Sequence, residues 1–102
     1  MADTNQHVID SMGSLIQILK EEDILNKHNL PRIGIYGSFA RSEKANDIDI
    51  YIESDALGYK DIVELRADLE KLTGMKIDIM LKKYANPIIL YYAEKDMIYV
   101  TN

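Results

Sequence analysis

The segment 47–52 reads Asp-Ile-Asp-Ile-Tyr-Ile, and its strict alternation constrains the fold more than any other stretch of the chain. Successive side chains of a β-strand point to opposite faces, so the segment is predicted to be a strand with one face made of isoleucine. The segment 75–81 alternates in the same way, with Ile77, Ile79 and Leu81 on one face. We therefore expect two strands, each with an apolar side that other elements must cover.

Helical segments surround these strands. Apolar residues at helical spacing predict an N-terminal amphipathic helix over about 5–28, interrupted near Glu22, and a later helix that ends before Gly74. Strands joined by short turns mix with strands joined by helices, so we expect a single α/β (α+β) domain, 1–102, with helices packed on one side of a mixed sheet. The other predicted elements are a strand at 32–36, a tight turn or short helix at 38–43, a helix at 60–72, a short helix at 87–94 and a last strand at 97–100.

Composition excludes several classes of protein. The chain has no cysteine, so disulfide scaffolds and cysteine-based metal sites are excluded. Its start does not read as a signal peptide, and no apolar run approaches the roughly 20 residues of a membrane span, so we expect a cytoplasmic protein. The net charge of -5 disfavours a protein that mainly grips a nucleic-acid backbone. It does not exclude a small nucleotide, whose charge a bound metal can neutralise.

Three aspartates fall on the polar sides of the alternating strands. Asp47 and Asp49 are two residues apart, so both carboxylates point to the same face, with their backbones roughly 6–7 Å apart. Asp78 lies between two core-facing isoleucines, and it joins the other aspartates on one side of the sheet if the strands are neighbours. Such a set suits two Mg²⁺ ions. A strand face that is acidic by chance is the alternative.

Gly37 and Ser38 follow the first strand and open a turn. A glycine lets the backbone approach a ligand closely, and N–H groups at a helix start, together with the Ser38 hydroxyl, bind phosphate. Arg41 lies one turn later, where it could donate to phosphate oxygens in a bidentate manner. The ordinary alternatives are a strand-to-helix turn capped by serine and a surface arginine that pairs with Glu43.

Other candidate residues are weaker. His7 and His28 have no acidic or histidine companions at ligand spacing, so both are interpreted as surface residues. A group of tyrosines lies near the end of the chain, where core packing or a partner interface explains them better than stacking on bases. These are Tyr84, Tyr91, Tyr92 and Tyr99.

Two motifs occur in order, Tyr-Gly-Ser-Phe-Ala-Arg at 36–41 and Asn-Asp-Ile-Asp-Ile at 46–50. Together they resemble the signature of the DNA polymerase beta-like nucleotidyltransferase superfamily, and especially its MNT family of minimal nucleotidyltransferases. The segment 69–78 resembles the family's passage from a helix to the strand with the third carboxylate, and 97–100 resembles its final strand. This chain departs from the family in three ways: Ser42 replaces a usual glycine, Asn46 replaces a usual serine, and the gap between the motifs is about two residues short.

The resemblance implies a palm-like mixed sheet with a catalytic core over about 32–102. It implies that Gly37 and Ser38 hold the triphosphate, that Asp47 and Asp49 bind two Mg²⁺ ions, and that Asp78 binds one ion and helps to deprotonate the attacking hydroxyl. Members of the family commonly act as antitoxins of a HEPN-family RNase, some by transferring AMP to a tyrosine of the toxin. ATP, Mg²⁺ and a HEPN toxin are therefore the substrate, cofactor and partner that the resemblance implies.

Three functions follow from these observations. The leading hypothesis is AMP transfer from ATP to a protein hydroxyl, since 102 residues leave little room for a second substrate-binding domain. The alternative is a non-catalytic module that neutralises a partner by covering its active site, although such a module has no need of three aspartates on one face. A polymerase or RNA-tailing enzyme is disfavoured by the acidic balance of the chain.

Overall fold

Four strands form one sheet in the computed structural model of the protein, which describes residues 9–101. Within these residues, helices connect the strands or cover them. In chain order the elements are α1 Met12–Glu21, α2 Ile24–Lys27, β1 Arg32–Tyr36, α3 Gly37–Ala40, β2 Asp47–Ile52, α4 Tyr59–Thr73, β3 Lys76–Leu81, a 3-10 turn Lys82–Tyr84, α5 Pro87–Asp96 and β4 Ile98–Thr101.

The sheet is mixed, with the strand order β3-β2-β1-β4. β1 pairs antiparallel with both β2 and β4, whereas β2 and β3 run parallel. A short turn through α3 is enough to join the antiparallel strands β1 and β2, while the parallel pair needs the 15-residue crossover helix α4. The α/β class and the mixed sheet expected from the sequence are confirmed.

Isoleucines at alternate positions build one apolar face of the sheet. Ile33 and Ile35 of β1 and all three isoleucines of β2 are almost completely inaccessible to water. Helices α1, α2 and α4 cover this face with aliphatic side chains. The buried residues that they supply include Leu15, Ile18, Leu19, Ile24, Leu25, Leu65 and Leu69. The residues between the isoleucines point to the opposite face, which is where β2 carries its aspartates.

The N-terminal helix begins later than the apolar spacing predicts. Its expected first residues, 5–8, lie outside the described part of the chain, and residues 9–10 precede the helix. α1 begins after Ser11, whose hydroxyl accepts the backbone N–H of Ser14 at 3.2 Å and caps the first turn. The expected interruption of the helix is confirmed, because Asp23 adopts a left-handed backbone with φ of 53° between α1 and α2.

α5 takes little part in the core. It contacts β1 and α3, and Ala93 is its one fully buried residue, although the helix begins with the largely apolar sequence Pro-Ile-Ile-Leu-Tyr-Tyr. The fold therefore leaves an apolar helical surface in contact with water. Among the residues that the structure describes, no helix has both the length and the apolar character that crossing a bilayer requires.

Candidate active site

The three aspartates of the alternating segments lie together on the face of the sheet opposite the isoleucines. Asp49 and Asp78 are direct partners across the parallel strands β2 and β3, and Asp47 precedes Asp49 by two residues on the same face. Each residue contributes a carboxylate oxygen, and these three atoms lie within 4.8 Å of one another. All three residues are half-buried. Asp47, Asp49 and Asp78 are called the carboxylate cluster below.

The negative charges of the carboxylate cluster are only partly balanced, by Lys76, whose Nζ lies 3.9 Å from Oδ1 of Asp78. Burial raises the pKa of Asp49, the charges of Asp47 and Asp78 raise this pKa further, and Arg41 opposes them by a smaller amount. Three carboxylates without a histidine or cysteine form the oxygen-only ligand set that hard cations such as Mg²⁺ prefer. The donor set therefore fits a divalent cation, which would relieve the repulsion.

Gly37 meets the carboxylate cluster directly. Its backbone is left-handed, with φ of 77°, and a Cβ atom at this position would collide with Oδ2 of Asp49. Both constraints demand glycine, since other residues pay a steric cost at positive φ and all of them carry a Cβ. The backbone of Gly37 thus packs against the carboxylate of Asp49. This contact places Gly37 and Ser38 beside the candidate metal ligands.

The turn after β1 is held by backbone hydrogen bonds and one core side chain. Phe39 anchors the four-residue helix α3 by packing into the isoleucine core. The N–H of Glu43 donates to the Ser38 carbonyl at 3.0 Å, and the N–H of Ser42 donates to the Phe39 carbonyl at 3.1 Å. Ser42 is left-handed, with φ of 63°. Glycine, which the resembling family usually has at this position, adopts such a backbone without strain.

Arg41 is held by two carboxylates. Its Nε and Nη2 donate to the two oxygens of Glu43 at 3.0 and 3.1 Å, and its Nη1 donates to Oδ2 of Asp96 at 2.7 Å. These bonds raise the pKa of Arg41 further above its already basic value. The pairing with Glu43 that the sequence offered as an alternative is therefore present, and Asp96 adds a link to α5. Three of the five guanidinium N–H groups are used in these bonds, and one each on Nη1 and Nη2 remains for a further acceptor. Contact of Arg41 with phosphate stays a prediction.

Tyr36 opens the motif at 36–41 but was not predicted to be a site residue, yet it belongs to the surroundings of the carboxylate cluster. It pairs with Asp49 across β1 and β2, so Tyr36, Asp49 and Asp78 form one row across three strands. Burial raises the pKa of its phenol to about 12, with further contributions from the charges of Asp49 and Asp78. Tyr36 therefore remains protonated at neutral pH. The signal that could have revealed it is the alternation of β1, in which Ile33 and Ile35 face the core.

The interpretation of His28 as a surface residue is wrong. Its side chain is only 11 % exposed, and its Nε2 lies 2.8 Å from Oδ2 of Asp68 on α4. Lys27 reaches the same oxygen at 2.9 Å, and these contacts, led by the hydrogen bond from Lys27, lower the pKa of Asp68. The acidic companion is forty positions away in sequence, so local spacing could not reveal it. The other histidine, His7, lies outside the described residues.

Comparison with protein families assigns most of the chain. Residues 15–102 match the family model described as polymerase beta, nucleotidyltransferase. The matched part contains Gly37, Ser38 and the whole carboxylate cluster, together with every strand of the sheet.

Individual relatives cover nearly the full length. Two proteins of Methanocaldococcus jannaschii, both named "Putative protein adenylyltransferase", are each 39% identical to this chain. The first, MJ1379, aligns with 88% of the chain and 98% of its own length, and the second, MJ0128, with 95% and 98%. The protein adenylyltransferase MntA of Thermococcus cleftensis is 24% identical over 90% of the chain and 95% of its own length.

Proposed function

The chain belongs to the polymerase beta nucleotidyltransferase family, and on this premise we propose that it transfers AMP from ATP to a tyrosine hydroxyl of a separate protein. The observation that carries the proposal is the contact between Gly37 and the carboxylate cluster. A triphosphate bound at the turn would have its α-phosphorus close to the three carboxylates. Relatives of this chain are named protein adenylyltransferases, which supports AMP as the transferred group and a protein as the acceptor.

Each residue of the site has a proposed role. Gly37 and Ser38 would bind the triphosphate through the backbone N–H groups of the turn and the Ser38 hydroxyl. Asp47, Asp49 and Asp78 would hold Mg²⁺, with two ions as the proposed occupancy, and the bound metal would stabilise negative charge on the phosphates and the leaving group. Arg41 would add a donor for phosphate oxygens through the N–H groups that Glu43 and Asp96 leave unused.

The reaction is an in-line substitution at phosphorus. The acceptor oxygen forms a bond to the α-phosphorus of ATP, the bond from that phosphorus to the bridging oxygen breaks, and pyrophosphate leaves. The proton of the acceptor hydroxyl passes to a carboxylate, for which Asp78 is the proposed base. Tyr36 is not a base at neutral pH, because its phenol is already protonated.

The proposed acceptor is a HEPN-family RNase toxin, which the chain would inactivate as an antitoxin in the cytoplasm. A protein acceptor agrees with the net charge of -5, which does not favour a long nucleic-acid substrate. The identity of the toxin rests on the resemblance of the motifs at 36–41 and 46–50 to the MNT family.

The test is incubation of the purified protein with ATP, Mg²⁺ and the HEPN-family RNase of the same genome, followed by intact-mass spectrometry. The RNase should gain the mass of AMP, and fragmentation should place it on a tyrosine. Asp47→Asn should give no modified RNase, because it removes charge from the proposed metal ligands with little change of shape.

Neutralisation by binding alone is the second candidate function. The exposed apolar surface of α5 favours it, since a binding module needs such a surface whether or not it has chemistry. An RNase that stays unmodified, yet is inhibited equally by the wild type and by Asp47→Asn, would decide for this second function.

A further inference from the structure

Residues 84–92 expose several large apolar and aromatic side chains to water. Five large apolar or aromatic side chains are between 56% and 77% exposed here. They are Tyr84, Ile88, Ile89, Tyr91 and Tyr92, called the α5 face below. In the rest of the described chain, such exposed side chains are Tyr59, which lines one depression together with Tyr84, and Val63 and Tyr99. A concentrated apolar surface of this kind is typical of an interaction site.

The α5 face is continuous with the candidate active site. A depression of about 210 Å³ separates Tyr36, Gly37 and Arg41 on one side from α5 on the other. Ile89 and Tyr92 line this depression and also belong to the α5 face. A protein that covers the α5 face would therefore have part of its surface at Gly37, next to the carboxylate cluster.

The charges of this region indicate what kind of surface would fit. Lys95 lies 4.8 Å from the ring centre of Tyr91 and 5.2 Å from that of Tyr92, and Lys83 lies 5.3 Å from that of Tyr84. Residues 82–96 include three lysines, Glu94 and Asp96, and Asp96 is paired with Arg41 at 2.7 Å, in a chain whose net charge is -5. The face is thus apolar with a basic border, which complements apolar side chains flanked by carboxylates.

A second copy of the chain is a poor occupant of this face. A two-fold symmetric dimer would place each α5 face against its own copy. Both surfaces would then carry the same excess of lysines, so neither would supply the carboxylates that complement this border. The face fits a different protein better than it fits itself.

We propose that the α5 face is the docking surface for the acceptor protein, which meets it with apolar side chains flanked by carboxylates. This inference rests on the proposed function, because it takes the docked protein to be the one that receives AMP. Docking beside Gly37 would bring an acceptor hydroxyl to the end of the site where the nucleotide is bound. It would also account for the poor burial of an apolar helix in the isolated chain.

The experiment measures binding separately from chemistry. Calorimetry without nucleotide would give the affinity of the full chain for the HEPN-family RNase of the same genome. Tyr91→Ser and Ile88→Ser alter the α5 face but do not line the depression at Gly37. Each should weaken binding about tenfold, the size of loss expected for a central interface residue. Both should keep the wild-type melting temperature and its rise with Mg²⁺ and ATP.

The control changes an exposed apolar residue on another helix. Val63→Ser makes the same kind of change on α4, where the side chain is 42% exposed and does not share a depression with Tyr84. It should bind the RNase as tightly as the wild type does. Lys95→Glu should weaken binding as well, and its effect should shrink as salt is raised, since the partner's proposed border is acidic.

The outcomes separate this inference from the proposed function. Binding that is lost in Tyr91→Ser and retained in Asp47→Asn supports the docking surface, even where no AMP is transferred. Equal binding by Tyr91→Ser and the wild type overturns it, as does an RNase that the wild type does not bind. A wild-type dimer that Tyr91→Ser converts to a monomer assigns the face to a second copy, which also overturns the proposal. If the melting temperature of Tyr91→Ser no longer rises with Mg²⁺ and ATP, the α5 face binds the nucleotide, and the proposal is again overturned.

Discussion

At the scale of single residues, Gly37 is where fold and chemistry constrain each other most. Gly37→Ala should destabilise the protein by about 2 kcal/mol, because alanine is strained at positive φ and its Cβ meets the Asp49 carboxylate. AMP transfer should fall with it, since relief of the collision moves a proposed metal ligand. Urea unfolding and the transfer assay measure the two effects.

The control for this variant is Gly13→Ala in α1. A Cβ there makes only ordinary contact, 3.7 Å from the Ser11 hydroxyl. Alanine is the better helix former, so this variant should be neutral or up to about 1 kcal/mol more stable. If Gly37→Ala were as stable as Gly13→Ala, the packing of Gly37 against Asp49 would be wrong.

The charged side chain of Asp49 should lower the stability of the folded protein, although it is a proposed metal ligand. Its raised pKa means that its charged form is less favourable in the folded chain than in the unfolded one. In EDTA at neutral pH, Asp49→Asn should therefore melt a few degrees higher than wild type, at roughly 4–8 °C per kcal/mol. As the pH falls through the raised pKa and then below the unfolded value of about 4, the carboxylate becomes protonated in both states and the advantage should vanish.

The same variant should lose AMP transfer by about a hundredfold or more, the loss typical of removing an electrostatic group from a reacting centre. If Asp49→Asn melts at a lower temperature than the wild type at neutral pH, other contacts of the Asp49 carboxylate must outweigh its repulsion by Asp47 and Asp78.

Ser42 offers a test of backbone strain without any change in the site's chemistry. Serine at φ of 63° is strained, and glycine is not, but glycine loses more entropy on folding. Ser42→Gly should accordingly stabilise the chain by at most about 1 kcal/mol, with transfer activity unchanged. Ser42→Val should destabilise it, because a β-branched residue tolerates this backbone poorly. Equal melting temperatures for the two variants would contradict the left-handed assignment.

At the scale of elements, the Arg41–Asp96 bond joins α5 to the turn that carries Gly37. Asp96→Ala should lower stability only slightly, since Arg41 is partly exposed. Its larger effect should be local, with faster hydrogen exchange across α5, whose burial is slight. Glu43→Ala removes the other partner of Arg41 without touching α5, so it should leave exchange in α5 unchanged. Equal exchange in the two variants would contradict a tether between α5 and the turn.

The strands could be predicted from the sequence because each carries its own alternation. Asp47 and Asp78 were expected on one face, given neighbouring strands, since Ile48 and Ile77 had to face the core. That β2 and β3 run parallel, with Asp49 opposite Asp78, is a long-range property that no local pattern specifies. The predicted start of α1 was also wrong. The apolar spacing continues upstream of Ser11, but the cap at Ser11 makes α1 begin at Met12.

The apolar spacing of α5 predicts a helix but does not predict whether its apolar side chains are buried. Its apolar residues predicted a helix, and the helix is present, but the pattern could not tell a core face from an exposed one. Ile88 and Tyr91 are one turn apart and both are exposed. Core residues are selected by what packs over them, and here α1, α2 and α4 already fill the single apolar face of the sheet. The contact of Arg41 with Asp96 and that of His28 with Asp68 could not be predicted for a related reason, since the partners are distant in sequence.

At the scale of the whole molecule, stability and ligand binding are coupled through the carboxylate cluster. The cluster exists only in the folded chain, because β2 and β3 are joined through α4 and meet only when the sheet forms. Mg²⁺ and ATP together should therefore raise the melting temperature. At a hundredfold excess over Kd the gain is about 2.7 kcal/mol, which corresponds to several degrees or more for a chain of this size.

The controls separate metal, nucleotide and nonspecific effects. ATP with EDTA should give a much smaller rise, because the three carboxylates repel the triphosphate when no cation lies between them. Asp78→Asn should keep part of the Mg²⁺–ATP effect, since Gly37, Ser38 and two carboxylates remain, whereas the double variant Asp47→Asn/Asp49→Asn should lose it. The double variant should also melt higher than wild type in EDTA, which distinguishes loss of binding from loss of structure. An equal rise in melting temperature for the double variant and the wild type would mean that the nucleotide binds elsewhere, and the carboxylate cluster would then lose its proposed role.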